Sequence, residues 1–323
     1  MALLKRFRTL KSEDNTGFGN STNNSGGRFY NRGQGRANVI KQGVGILNKY
    51  SWYHTMLGMS TGRFLLLLLT IYITVNLLFA GIYYLIGIEH LAGIDKSHNL
   101  KEFSEVFFFS TQTFTTVGYG RISPTGSLTS AVATFEAFIG LLSFAIATGL
   151  FYGRFSRPRA FLKFSNHAII APFKDGKALM LRMAPYKNNN LSEASAEVTL
   201  ALQIDENGEK MNKFYNLPLQ INKINSLALS WTLVHAIDEN SPLADFSESD
   251  IKDGKLEILV FVKAFDEVFS NTVVSRWSYT SQEIIWGAKF NVMFHPNKEN
   301  TSTILDLDKL NDYKKTVLPE NSK

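Results

Sequence analysis

Thr116-Val117-Gly118-Tyr119-Gly120 is the run in this 323-residue chain whose residue types and spacing carry a distinct chemistry. A dehydrated cation must exchange its water shell for oxygens of suitable number and field. Rings of backbone carbonyls supply them when successive C=O groups aim at one axis. Gly118 and Gly120 permit the unusual backbone angles that such a run of carbonyls requires. Thr116 adds a hydroxyl at the inner end, while Val117 and Tyr119 are expected to point outward as a packing cuff. One chain supplies one quarter of the ring, so this chemistry requires a homotetramer. The competing reading is a glycine-rich turn, and the surroundings of the motif decide against it.

Those surroundings are two long apolar runs. Residues 64–88 carry no charge, and residues 127–153 carry one, Glu136. The overall composition, 45% hydrophobic and 19% charged, hides this unevenness. As helices the two runs become transmembrane spans, expected at about 63–88 and 127–156. The first, at 25 residues, rises about 38 Å and must tilt in a hydrocarbon layer of about 30 Å. Between them, a helix-like stretch at about 102–114 is too short to span and leads into TTVGYGRISPTG, which no regular element accommodates. A half-helix followed by irregular backbone between two spans is a re-entrant loop, tolerated at membrane depth only where it lines protein or water.

The net charge of +6 is distributed as topology dictates. Residues 1–63 hold Lys5, Arg6, Arg8, Lys11, Arg28, Arg32, Arg36, Lys41, Lys49 and Arg63 against Glu13 and Asp14. The loop at 89–126 has Lys96, Lys101 and Arg121 against four acids, and Arg154, Arg157, Arg159 and Lys163 follow the second span. Basic flanks and a neutral loop place both termini in the cytoplasm of a multi-pass protein of the cell membrane. No nucleic-acid partner and no secretory signal are expected. The absence of cysteine excludes disulfides, thiol catalysis and cysteine-ligated metals. No nucleophile triad, phosphate loop or carboxylate pair stands out, so neither an enzyme nor a bound cofactor is expected.

Residues 1–40 read as a disordered tail, because 12–38 are rich in Ser, Thr, Asn and Gly. Residues 41–60 read as a helix on the cytoplasmic membrane surface, with Ile46, Leu47, Tyr50, Tyr53 and Leu57 at helical spacing and Trp52 at the interface. An ordinary linker remains the alternative there. From 157 to 318 the period changes to short β-rich runs separated by Gly, Asn, Asp and Pro, which predict an all-β sandwich. A plausible last strand lies at Ser302–Leu307, and 319–323 is a tail.

With these residues in place, the chain resembles the inward-rectifier potassium channels, most closely their prokaryotic branch. The resemblance rests on FFFSTQTFTTVGYG, on GRFSRPRA at the exit of the second span, on NHAIIAPF with KALMLRMA, and on VHAIDENSPL and IIWGAKF. It covers about residues 46–318. It implies a membrane α plus all-β fold: two transmembrane helices with a re-entrant pore helix and filter, then a cytoplasmic immunoglobulin-like β-sandwich, assembled as a homotetramer. The permeant ion would be K⁺, coordinated at Thr116, Val117, Gly118 and Tyr119.

In the second span Phe144, Thr148 and Tyr152 recur at i, i+4 and i+8 and share one helical face. Periodicity alone makes them ordinary packing. The resemblance makes Phe144 a cavity residue and Tyr152 the constriction that closes by dewetting. Gly140 and Gly149 serve either bending or close helix packing. Strongly rectifying relatives carry acids where this chain has Phe144 and Lys263, so strong block by magnesium or polyamines is not expected. Glu136, eight residues before Phe144, lies about 80° off that face, and is expected behind the filter as a hydrogen-bonded support. Gln112 replaces a family glutamate that braces the filter. Arg121 stands where many relatives have an acid, and a ring of such charges would depress the local cation concentration.

Arg154, Arg157 and Arg159 match the family's anionic-lipid site, each worth about 1 kcal/mol near an acidic leaflet. Obedience to the positive-inside rule is the alternative. In the β domain, Glu193 matches an acid of the cytoplasmic vestibule. Ala264, Phe265, Glu267 and Ser270 belong to the loop that narrows the pore, and Glu267 with Arg276 matches a salt-bridged brace. His235, Asp238 and Glu239 read as a satisfied turn, not a metal site. Two rival functions stay open on sequence: a membrane-anchored sensor with a non-conducting pore, and a weakly selective cation channel.

Overall fold

The computed structural model describes residues 17–18, 28–31, 35–43, 45, 51–95, 99–206 and 209–319. The chain divides into two compact units, Gln42–Arg157 and Met1–Lys41 with Pro158–Lys323. Each is described by itself.

The first unit is helical. Its helices are α1 (Trp52–Gly58), α2 (Thr61–Ile86), α3 (Asn99–Phe114) and α4 (Ser127–Phe155). Ser51 caps α1 by accepting the His54 N–H, and Gly87, at φ 116°, ends α2. Of the stretch expected to form the interfacial helix, residues 44 and 46–50 lie outside the described residues. At 26 and 29 residues, α2 and α4 rise about 39 and 44 Å, enough to cross a bilayer with tilt. At 16 residues, α3 rises only about 24 Å and does not span. Phe79, Ala80 and Tyr83 of α2 pack with Val106 and Phe109 of α3 and with Leu91 and Ile122. A two-residue ladder, β1 (Leu91–Ala92) against β2 (Ser123–Pro124), joins the loops on either side of the re-entrant segment.

The second unit is a β-sandwich. Its strands are β3 (Leu162–Phe164), β4 (Ala168–Phe173), β5 (Gly176–Pro185), β6 (Leu191–Glu206), β7 (Glu209–Asn216), β8 (Lys223–Ser226), β9 (Trp231–Ile237), β10 (Leu256–Asp266), β11 (Asn271–Thr280) and β12 (Ile284–Trp286). One sheet runs β11-β10-β6-β7 with β8 on β6; the other runs β12-β4-β5-β3 with β9 on β5. Only β12 and β4 pair in parallel within these two sheets. Leu256, Ile258, Val260, Val262 and Ala264 of β10 alternate into the core beside Val198, Leu200 and Leu202 of β6. Short ladders finish the chain: β13 (Ala288–Phe290) with β16 (Tyr313–Lys315), and β14 (Phe294–Pro296) with β15 (Thr303–Leu305). The sequence reading missed β3, β7, β8 and β16, whose shortness or Lys content masks their alternation.

The amino-terminal tail is corrected where it is described. Phe29 is buried against Ala201, Phe214 and Leu259 on the outer face of the sandwich, with Phe18 and Tyr30 beside it. The buried Glu257 carboxylate accepts the Phe29 N–H at 3.0 Å, and Arg28 pairs with Glu283. Burial pushes the Glu257 carboxyl above its ordinary range, while the Ser278 hydroxyl and the Phe29 N–H pull it back. Residues 30 and 37 form a bridge. Composition counted the glycines and asparagines; the aromatic pair Phe29-Tyr30 supplied the anchor that composition could not weigh.

His235 is buried on β9, with Nδ1 2.8 Å from the Pro218 carbonyl and Nε2 2.8 Å from Ser241 Oγ. Among the described residues no cluster suited to a metal ion exists, around His235 or elsewhere. Burial holds its imidazolium below the ordinary 6.5. The unfolded strand therefore binds more protons than the folded one as pH falls below that value, and the stability present above it is lost. Hydrogen exchange on the full-length protein should show β9 protection, corrected for intrinsic rates, falling between neutral pH and about pH 5.5. Protection that stays flat over that range would mean His235 titrates as an exposed imidazole.

Candidate functional site

The re-entrant segment begins where α3 ends. The Gln112 carbonyl accepts the Val117 N–H at 2.9 Å and the Gly118 N–H at 3.3 Å, and the Thr113 carbonyl accepts that of Thr116 at 3.0 Å. These bonds turn the chain back from the helix end. Beyond them the backbone alternates in hand: Thr116, Gly118 and Gly120 have φ of 58°, 54° and 81°, while Val117 and Tyr119 between them stay at negative φ. Alternation of this kind aims successive carbonyls to the same side, as a column of cation sites needs. Thr116 holds a left-handed angle without being glycine, a local strain of about 1–2 kcal/mol. Val117 and Tyr119 are exposed, so the cuff expected from sequence is not built by contacts within one chain.

Behind α3 lies a buried polar group in apolar surroundings. Glu136 on α4 is fully buried and accepts the Tyr83 hydroxyl of α2 at 2.6 Å and the Ser110 hydroxyl of α3 at 2.5 Å. Ser110 also lies 3.1 Å from both Asn76 oxygens, and Asn76 Nδ2 donates to the Tyr72 carbonyl. One carboxylate thus joins three helices. Sequence reasoning named Glu136 and missed Tyr83, Ser110 and Asn76. The signal was present: Asn76 and Tyr83, seven apart in a charge-free run, share a helical face. Gln112, expected as filter support, acts through its carbonyl. Among the described residues its side chain makes no hydrogen bond.

Arg121, directly after the motif, is not the bare charge the sequence suggested. Its guanidinium meets Glu105 of α3 at 2.9 Å, and Glu105 also accepts the Asp95 N–H at 2.9 Å. The carboxylate offsets most of the field Arg121 would project. The Arg121 carbonyl packs against Gly93, where an added Cβ would come within 1.9 Å of it.

On α4, Phe144, Thr148 and Tyr152 are all exposed along one face of the single chain. The Thr148 hydroxyl donates to the Phe144 carbonyl at 2.8 Å. The two glycines left open by the sequence separate clearly. A Cβ on Gly140 would lie 1.8 Å from the Phe114 carbonyl at the end of α3, whereas Gly149 has nothing within 4 Å. Gly140 is a packing glycine; Gly149 packs against nothing within this chain.

The three exit arginines also separate. Arg157 and Arg159 are exposed. Arg154 is half-buried, donating to the Met56 and Met59 carbonyls and lying over the Phe64 ring at 4.5 Å. Its guanidinium is engaged within the chain, unlike those of Arg157 and Arg159.

In the sandwich, Glu193 and Ala264 meet at one β-bulge. Ser192 pairs with Phe265 and Ser195 with Lys263, so Glu193 and Ala194 together oppose Ala264. Glu193 takes φ 47° there, and its exposed carboxylate lies 3.6 Å from Lys223. Ala264 and Phe265 are strand, not loop, since β10 continues to Asp266. The turn proper is Glu267–Ser270, closed by Asp266 Oδ1 accepting the Val268 and Phe269 N–H groups at 3.0 and 3.2 Å. Among the described residues Glu267 and Arg276 form no ion pair. Arg276 stands opposite Phe261 in the ladder, five residues down β11 and about 17 Å from the turn. It lies over the Phe261 ring at 5.1 Å and hydrogen-bonds Tyr30.

Two membrane-crossing helices around a re-entrant helix and an alternating loop, followed by a β-sandwich, are the fold of a pore-loop ion-channel subunit. Comparison with known proteins agrees. Residues 162–323 match the family described as inward rectifier potassium channel C-terminal domain, and residues 71–157 match ion channel. The chain is similar to inward rectifier potassium channel Kirbac3.1 of Paramagnetospirillum magnetotacticum, at 33% identity over 80% of this chain and 87% of that protein. It is also similar to inward rectifier potassium channel irk-1 of Caenorhabditis elegans, at 25% identity over 79% and 51% of the two chains. G protein-activated inward rectifier potassium channel 4 of Mus musculus matches at 29% identity over 71% and 59%. The chain thus spans about half the length of the two animal relatives. It belongs to the inward rectifier potassium channel family and is a membrane potassium channel.

The two glycines of α4 give a direct check. Gly140→Ala should disrupt the contact with α3 and abolish assembled protein on size exclusion, because backbone, not a flexible side chain, blocks the new methyl. Gly149→Ala should assemble as the parent does. Equal behaviour of the two variants would remove Gly140 from the packing role.

Proposed function

We propose that four copies of this chain form a K⁺-selective pore in the cell membrane, with both termini cytoplasmic. The carbonyls of residues 116–120 replace the ion's water, and K⁺ moves passively down its electrochemical gradient. The single observation that carries this reading is the alternation of backbone hand at Thr116, Gly118 and Gly120. The exposure of Val117 and Tyr119 in one chain fits surfaces that neighbouring copies cover. Tyr152, with Phe144 and Thr148 on the same face, lines the inner pore and closes it by dewetting. Arg157 and Arg159 meet anionic lipid at the membrane exit, and the sandwich carries a cytoplasmic extension of the pore near Glu193 and the 264–270 hairpin. Phe144 and Lys263 stand where block by magnesium or polyamines would need acids, and Lys223 offsets Glu193; rectification is therefore weak.

The reading is tested by cation flux in liposomes. Uptake of K⁺ and Rb⁺ without Na⁺, abolished by Gly118→Asp, is the expected result. Equal Na⁺ flux would favour a weakly selective channel whose filter lacks a bracing side chain at Gln112. No flux with intact tetramers would favour a sensor protein with a silent pore. For the gate, Tyr152→Ala should raise steady-state Rb⁺ uptake at least about fivefold, the low end of typical coupling between states. Uptake equal to the parent's would take Tyr152 out of that role.

A further inference from the structure

The exit of α4 is held from one side by a small assembly of side chains. Arg154 Nη1 donates to the Met56 carbonyl at 2.5 Å and Nη2 to the Met59 carbonyl at 2.8 Å. Both acceptors lie at the carboxyl end of α1, where a helix leaves its last carbonyls without internal partners. The same guanidinium lies over Phe64, a fully buried ring at the start of α2, which in turn makes an edge contact with Phe151 at 5.3 Å. One residue away, Gly153 lets α1 approach closely: an added Cβ would meet Tyr53 Oη at 3.2 Å and Leu57 Cδ2 at 3.3 Å. Three helices converge on one side chain.

Only an arginine fits this place. Its planar fork presents two parallel donors to two carbonyls and a flat face to a ring at the same time. A lysine keeps the charge but offers a single ammonium with no plane. A headgroup ligand needs the charge and an open approach, as Arg157 and Arg159 have; Arg154 has its donors turned inward.

Tyr152 and Arg154 are two residues apart on one helix, about 200° around its axis. Whatever fixes the direction of Arg154 therefore fixes that of Tyr152 on the opposite side. We propose that Arg154 is a positioning residue of the gate: by gripping the end of α1 and the Phe64 ring it sets the rotation of the last turn of α4. Movement of the interfacial helix is then passed to Tyr152 through this grip, not through lipid charge at position 154. The inference rests on Tyr152 acting as the constriction.

The test compares charge with shape in the full-length tetramer. Rb⁺ uptake is measured in phosphatidylcholine vesicles carrying rising fractions of phosphatidylglycerol. The variants are Arg154→Lys, Arg154→Gln, Phe64→Leu and Arg157→Gln with Arg159→Gln. Arg154→Lys and Arg154→Gln should alter uptake by similar factors, about fivefold or more, without moving the phosphatidylglycerol midpoint. The double variant at 157 and 159 should move the midpoint. Arg154→Lys matching the parent while Arg154→Gln shifts the midpoint would overturn the proposal and return Arg154 to the lipid site. Should Arg154→Lys fail to assemble, Phe64→Leu decides: it keeps the charge and loses the flat ring, and uptake equal to the parent's sinks the idea. The parent must conduct Rb⁺ for any comparison, so failure of the channel reading itself would appear first and separately.

Discussion

Carbonyl oxygens can stand in for water around an ion only if the backbone that carries them gives up regular hydrogen bonding. Here that constraint falls on residues 116–120. Their alternating hand leaves them without helix or strand partners, and a non-glycine residue, Thr116, holds a left-handed angle. Such a loop has no stability of its own at membrane depth. Three of its N–H groups are recovered by the Gln112 and Thr113 carbonyls at the end of α3. The position of α3 therefore sets the position of the loop, and the rest of the helical unit is arranged to hold α3 still.

Two contacts from α4 do this, made by Gly140 and Glu136, four and eight residues before Phe144 and so about 40° and 80° around the helix from it. Gly140 admits the Phe114 carbonyl where any side chain would collide. Glu136, one turn earlier, accepts hydroxyls from both α3 and α2. Burying a carboxylate costs several kcal/mol unless hydrogen bonds compensate it. Two short bonds from the Tyr83 and Ser110 hydroxyls supply that compensation, and Ser110 is tied in turn to Asn76. Gln112, where a carboxylate braces the filter in related channels, makes no side-chain bond among the described residues. The carboxylate behind α3 comes instead from α4. One helix thus carries both the brace and the proposed pore lining, so its rotation bears on both.

What the sequence made legible follows from how local the signal was. Long apolar runs with one charge or none have one physical outcome in a membrane, and α2 and α4 are the two helices long and apolar enough to cross one. The motif at 116–120 was legible because glycine at two fixed places has few other uses. Polar strands were harder: β7 reads EKMNKFYN, with Phe214 and Tyr215 the only large anchors in its second half. The amino-terminal segment failed for a related reason. Two aromatic residues in a glycine-rich stretch outweigh their surroundings once a sheet face with Glu257 and Leu259 receives them, and no local pattern announces a partner more than two hundred residues away. Partners at long sequence separation also explain why Tyr83 and Ser110 escaped notice while Glu136 did not. A carboxylate in a span is conspicuous by itself; a tyrosine or serine is conspicuous only beside it.

Charged residues show the limit of counting most clearly. By number, Arg121, Arg154, Arg157 and Arg159 are equivalent positive charges near the membrane. By geometry they do three different things. Arg121 is matched by Glu105 at 2.9 Å, so its field largely cancels at distances beyond the pair. Arg154 is spent on two carbonyls and a ring, where the fork matters more than the sign. Arg157 and Arg159 remain open to solvent and keep their full reach toward an anionic surface. The same sorting applies in the sandwich, where Glu193 has Lys223 beside it and Arg276 is held by Phe261 and Tyr30 instead of Glu267. A charge acts at long range only when nothing nearby has claimed it, and the claimants here sit 16 to 98 positions away along the chain at Arg121 and Arg154. Electrostatic function in this channel is therefore a property of the fold, with the sequence supplying the candidates and the packing choosing among them.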